Sequence, residues 1–439
     1  MYSLDNLHLN CKSNVKFNFN GGDLSSDSGL FLIKEFADKI GFSKLLKKLL
    51  KTKDSSIRFH KDHENLEQII YQTLAAYFND NDADELRNEP VMTTILDKEN
   101  LASQPTLSRF WSRMDESTLE QFNDIFKALR STIYTIEKPR RILLDLDSTL
   151  LPAYGKQEGV NYNYHYSSNG YHPLVCYDGL TGDLLKIKLR NGSVYSSNDT
   201  VDFLQPLLDE FEDKYPDVDL FLRADSGFAI PELYQQAETN GVSYVIRLKA
   251  NQTLYKLAET VASKMDELTK NNKLDYAVIY DEFDYQASSW NYPRRVIVKV
   301  EKPSNQFTYQ YGFIVTNMDL SPVNILRLYN NRGKMENFIK EGKNGFNFSS
   351  TSSPRKVVNS NRLQVSALAY NLFNWFRRLV LPKSMSKMLI DTIRMKLIKI
   401  ASRVTRSARY LIFKLASSCP YKKEFVKTLE NIRSIPKLE

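Results

Sequence analysis

Residues 142–149, Ile142-Leu143-Leu144-Asp145-Leu146-Asp147-Ser148-Thr149, set two acids into an otherwise apolar run just after Pro139-Arg140-Arg141. A short apolar run of this kind reads as a largely buried strand. Burying a carboxylate there without a partner is expensive, so a chain that keeps Asp145 and Asp147 must use them. The residues that follow continue the pattern of a covered sheet. Segments 173–178 and 184–189 read as two strands joined by the Gly-containing turn 179–183, an antiparallel hairpin. A helix at 198–211, a strand at 218–224, a helix at 230–239 and a strand at 243–248 come next. Three strands in a meander, then helix, strand, helix, strand, predict a mixed sheet with helices packed on it.

The chain of 439 residues has room for two to four folding units. Residues 27–134 carry apolar positions three and four apart, the mark of several short helices. Within them Gln104-Pro105-Thr106 starts a basic helix, which fits either a DNA groove or a core that buries Leu107, Phe110 and Trp111. Segment 250–318 reads as one helix, 254–269, and three β-rich runs, 276–285, 294–302 and 307–315, an insertion with its own small sheet. Helical periodicity returns at 321–339, and 361–381 is a strongly apolar helix. Segment 383–414 holds nine Lys/Arg and one acid, and reads as an amphipathic helix whose charged face, with Arg403 and Arg406, meets DNA. The expected division is therefore 1–138, 139–250, 251–318, 319–382 and 383–439.

Composition removes several classes. Hydrophobic residues at 42%, charged residues at 26%, 16 Gly and 15 Pro exclude a collagen-like or wholly disordered chain. Cys11, Cys176 and Cys419 are too few and too scattered for a disulfide scaffold or a metal knuckle, which fits a reducing cytosol. No export signal is readable at the start, and the apolar run 365–381 is broken by Arg377 and Arg378, so the expectation is a cytoplasmic protein without a membrane span. A net charge of +8 makes a polyanion a candidate partner. His60, His63, His165 and His172 have no cysteine nearby and read as hydrogen-bonding histidines before zinc ligands.

Three acids carry the candidate chemistry: Asp147 ends the first core strand, Asp225 ends the fourth, and Glu336 lies in the helix after the insertion. If the first and fourth strands are neighbours and that helix packs beside them, the carboxylates converge. Such a cluster needs a cation, and all-oxygen ligation suits Mg²⁺, or Mn²⁺ as a substitute. Two such ions can activate a water or hydroxyl and stabilise the leaving oxygen of a phosphodiester. Tyr329, Arg332 and Glu336 share a helical face at i, i+3, i+7, with Lys343 about two turns on. That face fits phosphate binding, or a solvated amphipathic helix.

This ordered set resembles the cut-and-paste DDE transposases of bacterial insertion sequences, in the branch with a YREK signature and a β insertion before the last acid. The resemblance rests on Asp147 in Asp-Ser-Thr, Asp225 in Arg-Ala-Asp-Ser-Gly-Phe, Tyr329, Arg332, Glu336 and Lys343, with Tyr171-His172-Pro173-Leu174 and Leu189-Arg190-Asn191-Gly192 between them. It implies an α/β fold with a ribonuclease-H-like mixed-sheet core, interrupted by a β-rich insertion and flanked by N- and C-terminal helical regions that bind DNA. It also implies terminal-repeat cleavage, 3′-OH strand transfer into target DNA, Asp147, Asp225 and Glu336 as metal ligands, and phosphate contacts from Tyr329, Arg332 and Lys343. Trp290 would stack on a flipped base, or serve a local core with Phe283, Tyr285 and Tyr292. The partners implied are double-stranded DNA and a second copy in a synaptic homodimer, at the bacterial nucleoid, with no small-molecule cofactor. Asp145-Leu146-Asp147-Ser148-Thr149 also fits the nucleophile motif of haloacid-dehalogenase-type phosphatases, in which Asp145 attacks phosphorus. A DNA-binding regulator without turnover is the non-catalytic alternative.

Overall fold

The computed structural model describes residues 7–9, 11–54, 56–269, 276–306 and 308–436. The chain forms two units: Met1–Ile136 with Asn344–Asn347 and Gln364–Glu439, and Glu137–Lys343 with Phe348–Leu363.

The second unit is built on one eight-stranded sheet. Its strands are β1 (Arg141–Ser148), β2 (Leu174–Asp178), β3 (Leu184–Lys188), β4 (Asp219–Ala224), β5 (Ser243–Leu248), β6 (Ala277–Tyr285), β7 (Arg294–Lys302) and β8 (Gln310–Thr316), in the order β6-β7-β8-β5-β4-β1-β2-β3. Ile142 to Leu146 of β1 and all of β2 are buried, as their largely apolar character requires. β1 runs parallel to β4 with Leu146 opposite Ala224, and antiparallel to β2 with Asp147 opposite Val175. The first and fourth strands are therefore neighbours, and the meander precedes two parallel strands as expected. The crossover from β4 to β5 uses the helix Pro231–Thr239, since parallel neighbours need a long connection.

The insertion departs from expectation. Its three strands do not make a separate sheet; β8 pairs antiparallel with β5, Ile246 opposite Val315, and so extends the central sheet. The reason is an open edge: β5 would otherwise leave a row of unpaired backbone groups. Of the expected strand 307–315, Phe307 lies outside the described residues. The expected helix 254–269 is two, Gln252–Leu257 and Glu259–Thr269.

The first unit starts with the short strands Leu7–Leu9, Lys12–Phe17 and Leu24–Ser25 and is then helical, with helices Leu30–Lys39, Phe42–Leu49, Asp62–Leu74, Gln104–Ser112 and Glu116–Ile136 among others. Leu107, Phe110 and Trp111 are buried, so Gln104–Ser112 spends its apolar face on the core. The basic segment 383–414 is not one amphipathic helix. It contains a single α turn, Ile390–Ile393, a π turn, Arg394–Ile398, and then an antiparallel hairpin of Ser402–Arg406 and Leu411–Leu415. β-branched Val404, Thr405 and Ile412 favour extended backbone. Arg394 is buried and donates to the carbonyls of Thr73, Leu74 and Gly345, so it is structural. Among the described residues no helix is long and apolar enough to cross a membrane.

Gly29 shows how tightly the C-terminal turn seats on the first helix: its N–H donates to Ile398 O at 3.0 Å, and a Cβ there would lie 1.8 Å from Leu397 O. Gly29→Ala is expected to destabilise the chain by at least about 2 kcal/mol through overpacking against backbone, read as a lower urea midpoint with the m-value unchanged.

Candidate active site

Asp145 and Asp147, two apart on β1, share a face but have different fates. Asp145 is fully buried opposite Arg223 of β4. The guanidinium grips both its oxygens, with Nε to Oδ1 at 2.9 Å, and also donates through Nη1 to Leu328 O at 2.7 Å. Burial raises the Asp145 carboxyl, against the pull of Arg223. Gly179 closes the pocket, where a Cβ would meet Asp145 Oδ2 at 2.8 Å. A carboxylate with no exposure and both oxygens engaged does not present itself to a phosphoryl group, so the phosphatase reading of Asp145 fails on access.

Asp147 and Asp225 instead converge on Arg332. Its Nη2 lies 2.7 Å from Asp147 Oδ2 and 3.6 Å from Asp225 Oδ2, while its Nε is buried without a partner. Asp147 reaches the crevice because β1 ends there, and its Oδ1 accepts from Ser148 N at 2.9 Å. Asp225 caps the turn after β4, accepting from Gly227 N at 2.8 Å. Burial pushes the Asp147 carboxyl up to about 7, with the Asp225 and Asp145 charges adding and Arg332 opposing. Burial disfavours the Arg332 charge, but Asp147 and Asp225 outweigh it and hold the guanidinium protonated.

Arg332 sits at a break between the helices Pro322–Asn330 and Gly333–Gly345, where a single helix was expected. The second helix packs by Met335, Phe338 and Ile339, with Phe338 5.7 Å from the Tyr177 ring of β2. At about 100° per residue, positions 332, 336 and 343 fall within an arc of about 40°. Lys343 uses that arc to donate to Leu150 O at 2.8 Å. Burial lowers its pKa, partly offset by Asp147. Glu336 is exposed in the same arc. Among the described residues no three His, Cys, Asp or Glu side chains stand close enough to hold a metal ion. Asp147 and Asp225 are thus brought together, and Glu336 is left one turn beyond Arg332. Tyr329, half-buried, packs on Val245, Ile297, Ile314, Ile325 and Leu326, and burial raises its phenol.

The remaining expected residues lie elsewhere. Trp290 is buried, its ring 5.3 Å from those of both Tyr234 and Tyr285, with the Arg294 guanidinium over it. This burial goes against the stacking role and fits the local-core alternative, with Tyr285 of the expected set and Tyr234 of the helix Pro231–Thr239 packed on the ring. Arg403 and Arg406 are exposed on the C-terminal hairpin. His172 is buried with Nδ1 2.8 Å from Val194 O, and His165 is exposed.

Sequence reasoning gave no role to three residues beside the crevice. Tyr166 donates to Ser148 O at 3.3 Å, and burial, Asp147 and Asp225 raise its phenol. Ser196 meets the Ser148 hydroxyl at 3.0 Å. Arg190, 2% exposed, clasps the carbonyls of Tyr195, Ser196 and Asn198 and holds that loop against the crevice. Only Arg190 left a signal, as a charge following an apolar strand.

Compared with known proteins, the chain matches the family model described as transposase DDE domain group 1 over residues 7–437. No curated protein matches it. Seven solved chains do. One is a piggyBac transposase in a synaptic complex with hairpin DNA, at 14% identity and a TM-score of 0.40, over 94% of this chain and 86% of that one.

Removing one partner of a buried ion pair strands the other. Asp145→Ala is expected to cost about 3–5 kcal/mol of stability and Asp225→Asn less than about 1 kcal/mol, measured by chemical denaturation of the two variants side by side.

Proposed function

The chain belongs to the transposase DDE domain group 1 family, and on that premise we propose that it is a metal-dependent DNA transposase of a bacterial insertion sequence, in the YREK branch. The observation that carries this reading is the convergence of Asp147 and Asp225, from adjacent parallel strands, on one cation. The strand order β3-β2-β1-β4-β5, with a meander before the parallel pair, supports a ribonuclease-H-like core.

Mg²⁺ fits the donor set. Two carboxylates in a crevice that already draws in a guanidinium, one of them pushed up to about 7 by burial, suit a hard divalent cation. When bound, such ions activate water or a freed 3′-hydroxyl and stabilise the departing oxygen. Asp147 and Asp225 would hold them, and Glu336, exposed one turn beyond Arg332, would supply the third carboxylate. Arg332 turns from the carboxylates to the phosphate next to the cleaved bond, and Lys343 and Tyr329 steady that strand. Asp145 stays out of the chemistry and keeps β1 and β4 in register. Joining two ends calls for at least a homodimer on double-stranded DNA, in the bacterial cytoplasm at the nucleoid.

The test is cleavage of a labelled duplex carrying the element's own terminal repeat. Wild type should nick with Mg²⁺ and not with EDTA, and Asp147→Asn, Asp225→Asn and Glu336→Gln should each lose at least about a hundredfold in rate while still binding the end. A wild type that binds ends and never nicks would establish the regulator instead.

A carboxyl raised above its ordinary value keeps its proton until the pH passes the raised pKa, and metal must displace that proton. Mn²⁺ affinity, measured by calorimetry, should therefore rise roughly fivefold from pH 6 to pH 7 and less than about twofold from pH 7 to pH 8, a profile that Asp147→Asn should flatten.

A further inference from the structure

The hairpin Ser402–Arg406 with Leu411–Leu415 has two unlike faces. On one, Ser402 and Val404 are buried and Phe413 packs on Phe31 with ring centroids 4.7 Å apart. Ser28 Oγ donates to Ser402 Oγ at 2.6 Å, so this face is anchored, and the edge of Ser402–Arg406 is held too, with Leu24–Ser25 pairing antiparallel to Ser402 and Arg403 and Val404 N donating to Asp23 O at 2.8 Å. The other face carries Arg403, Thr405, Ile412 and Lys414, and here Arg403 stands directly opposite Lys414. Like charges directly opposite on a sheet destabilise it, and among the described residues no carboxylate pairs with either. Arg406, Arg409 and Tyr410 are exposed towards the turn. On the hairpin itself, residues 402–415 hold Arg403, Arg406, Arg409 and Lys414 and no acid. A rigid strip of positive charge, uncompensated within its own segment, is complementary to a regular polyanion.

We propose that this hairpin is a duplex-DNA-binding ribbon that lays its outer face in the major groove, with Arg403 and Lys414 gripping phosphates and Arg409, in the turn, reaching inward. The choice of DNA as partner rests on the transposase reading; the groove follows from shape, since the hairpin beyond its short pairing with Leu24–Ser25 is two-stranded, and such a ribbon fits the major groove of B-DNA, about 12 Å wide, and not the minor groove of about 6 Å. The ribbon binds independently of the crevice chemistry and adds a salt-sensitive grip outside the cleavage site.

The test uses the full chain and the terminal-repeat duplex. Arg403→Ala and Lys414→Ala should each weaken binding by about three- to tenfold at 0.1 M salt and flatten the log–log salt slope by about 1. Arg403→Glu should weaken binding further while the thermal midpoint holds or rises, because an opposite pair replaces a like one. A folding defect gives the reverse thermal result. Wild type should protect guanine N7 from methylation, and Arg403→Ala with Lys414→Ala together should lose that protection. Unchanged binding and slope in these variants, protection at adenine N3 alone, or ribbon-dependent binding to phosphatidylserine vesicles but not to duplex would overturn the proposal. Mg²⁺-dependent nicking by the same wild-type preparation separates the two readings. If wild type nicks while ribbon variants bind normally, the ribbon falls alone. If ribbon-dependent binding persists without nicking, the catalytic reading falls and the ribbon stands.

Discussion

The buried pair of Asp145 and Arg223 is the constraint on which the second unit depends. Each group is costly to remove from water, and each is satisfied by the other across adjacent parallel strands. The third arm of the guanidinium, on Leu328 O, extends the lock to the helix that leads to Tyr329 and Arg332. One side chain thereby sets the register of β1 on β4 and the place where the next helix ends. Because register on a strand has a period of two, fixing Asp145 inward also fixes Asp147 on the same face, at the strand end where the crevice opens.

A second charge balance is built on the first. Burial and the charge of Asp225 raise the Asp147 carboxyl, and Arg332, ion-paired with both acids, opposes them. The helix break at Asn331 and Arg332 places the guanidinium there, and the packing of Met335, Phe338 and Ile339 turns Glu336 to the open side. The two pairs differ in character. The inner one is fully buried and engaged in both oxygens, whereas Asp225 keeps 39% side-chain exposure and its partner can exchange. Permanence belongs to the inner pair and access to the outer.

Much of this was legible in the residues. Apolar runs with acids at their ends revealed β1, β4 and Asp147 with Asp225, because burial on both faces leaves an unmistakable composition. The helices of the first unit were legible from their 3.6-residue period. The C-terminal hairpin was not: Leu411, Phe413 and Leu415 at alternate positions signal a strand, but Arg and Lys spaced at three and four residues imitate a helical face. Trp290 was ambiguous for a different cause. An aromatic in a β-rich segment serves a core or a ligand equally well until Tyr234, from the helix Pro231–Thr239, is seen to pack on it.

Local patterning by itself determined which segments are strands or helices, that a mixed sheet forms, and which acids end its strands, since these follow from the cost of exposing apolar groups and burying polar ones. Only the tertiary structure decided that β8 joins β5, that Arg223 answers Asp145 while Arg332 answers Asp147 and Asp225, and that Glu336 stands apart. Those are pairings between residues distant in the chain, chosen by the geometry of closing a sheet edge and neutralising buried charge. No periodicity along the chain encodes which distant partner will satisfy them.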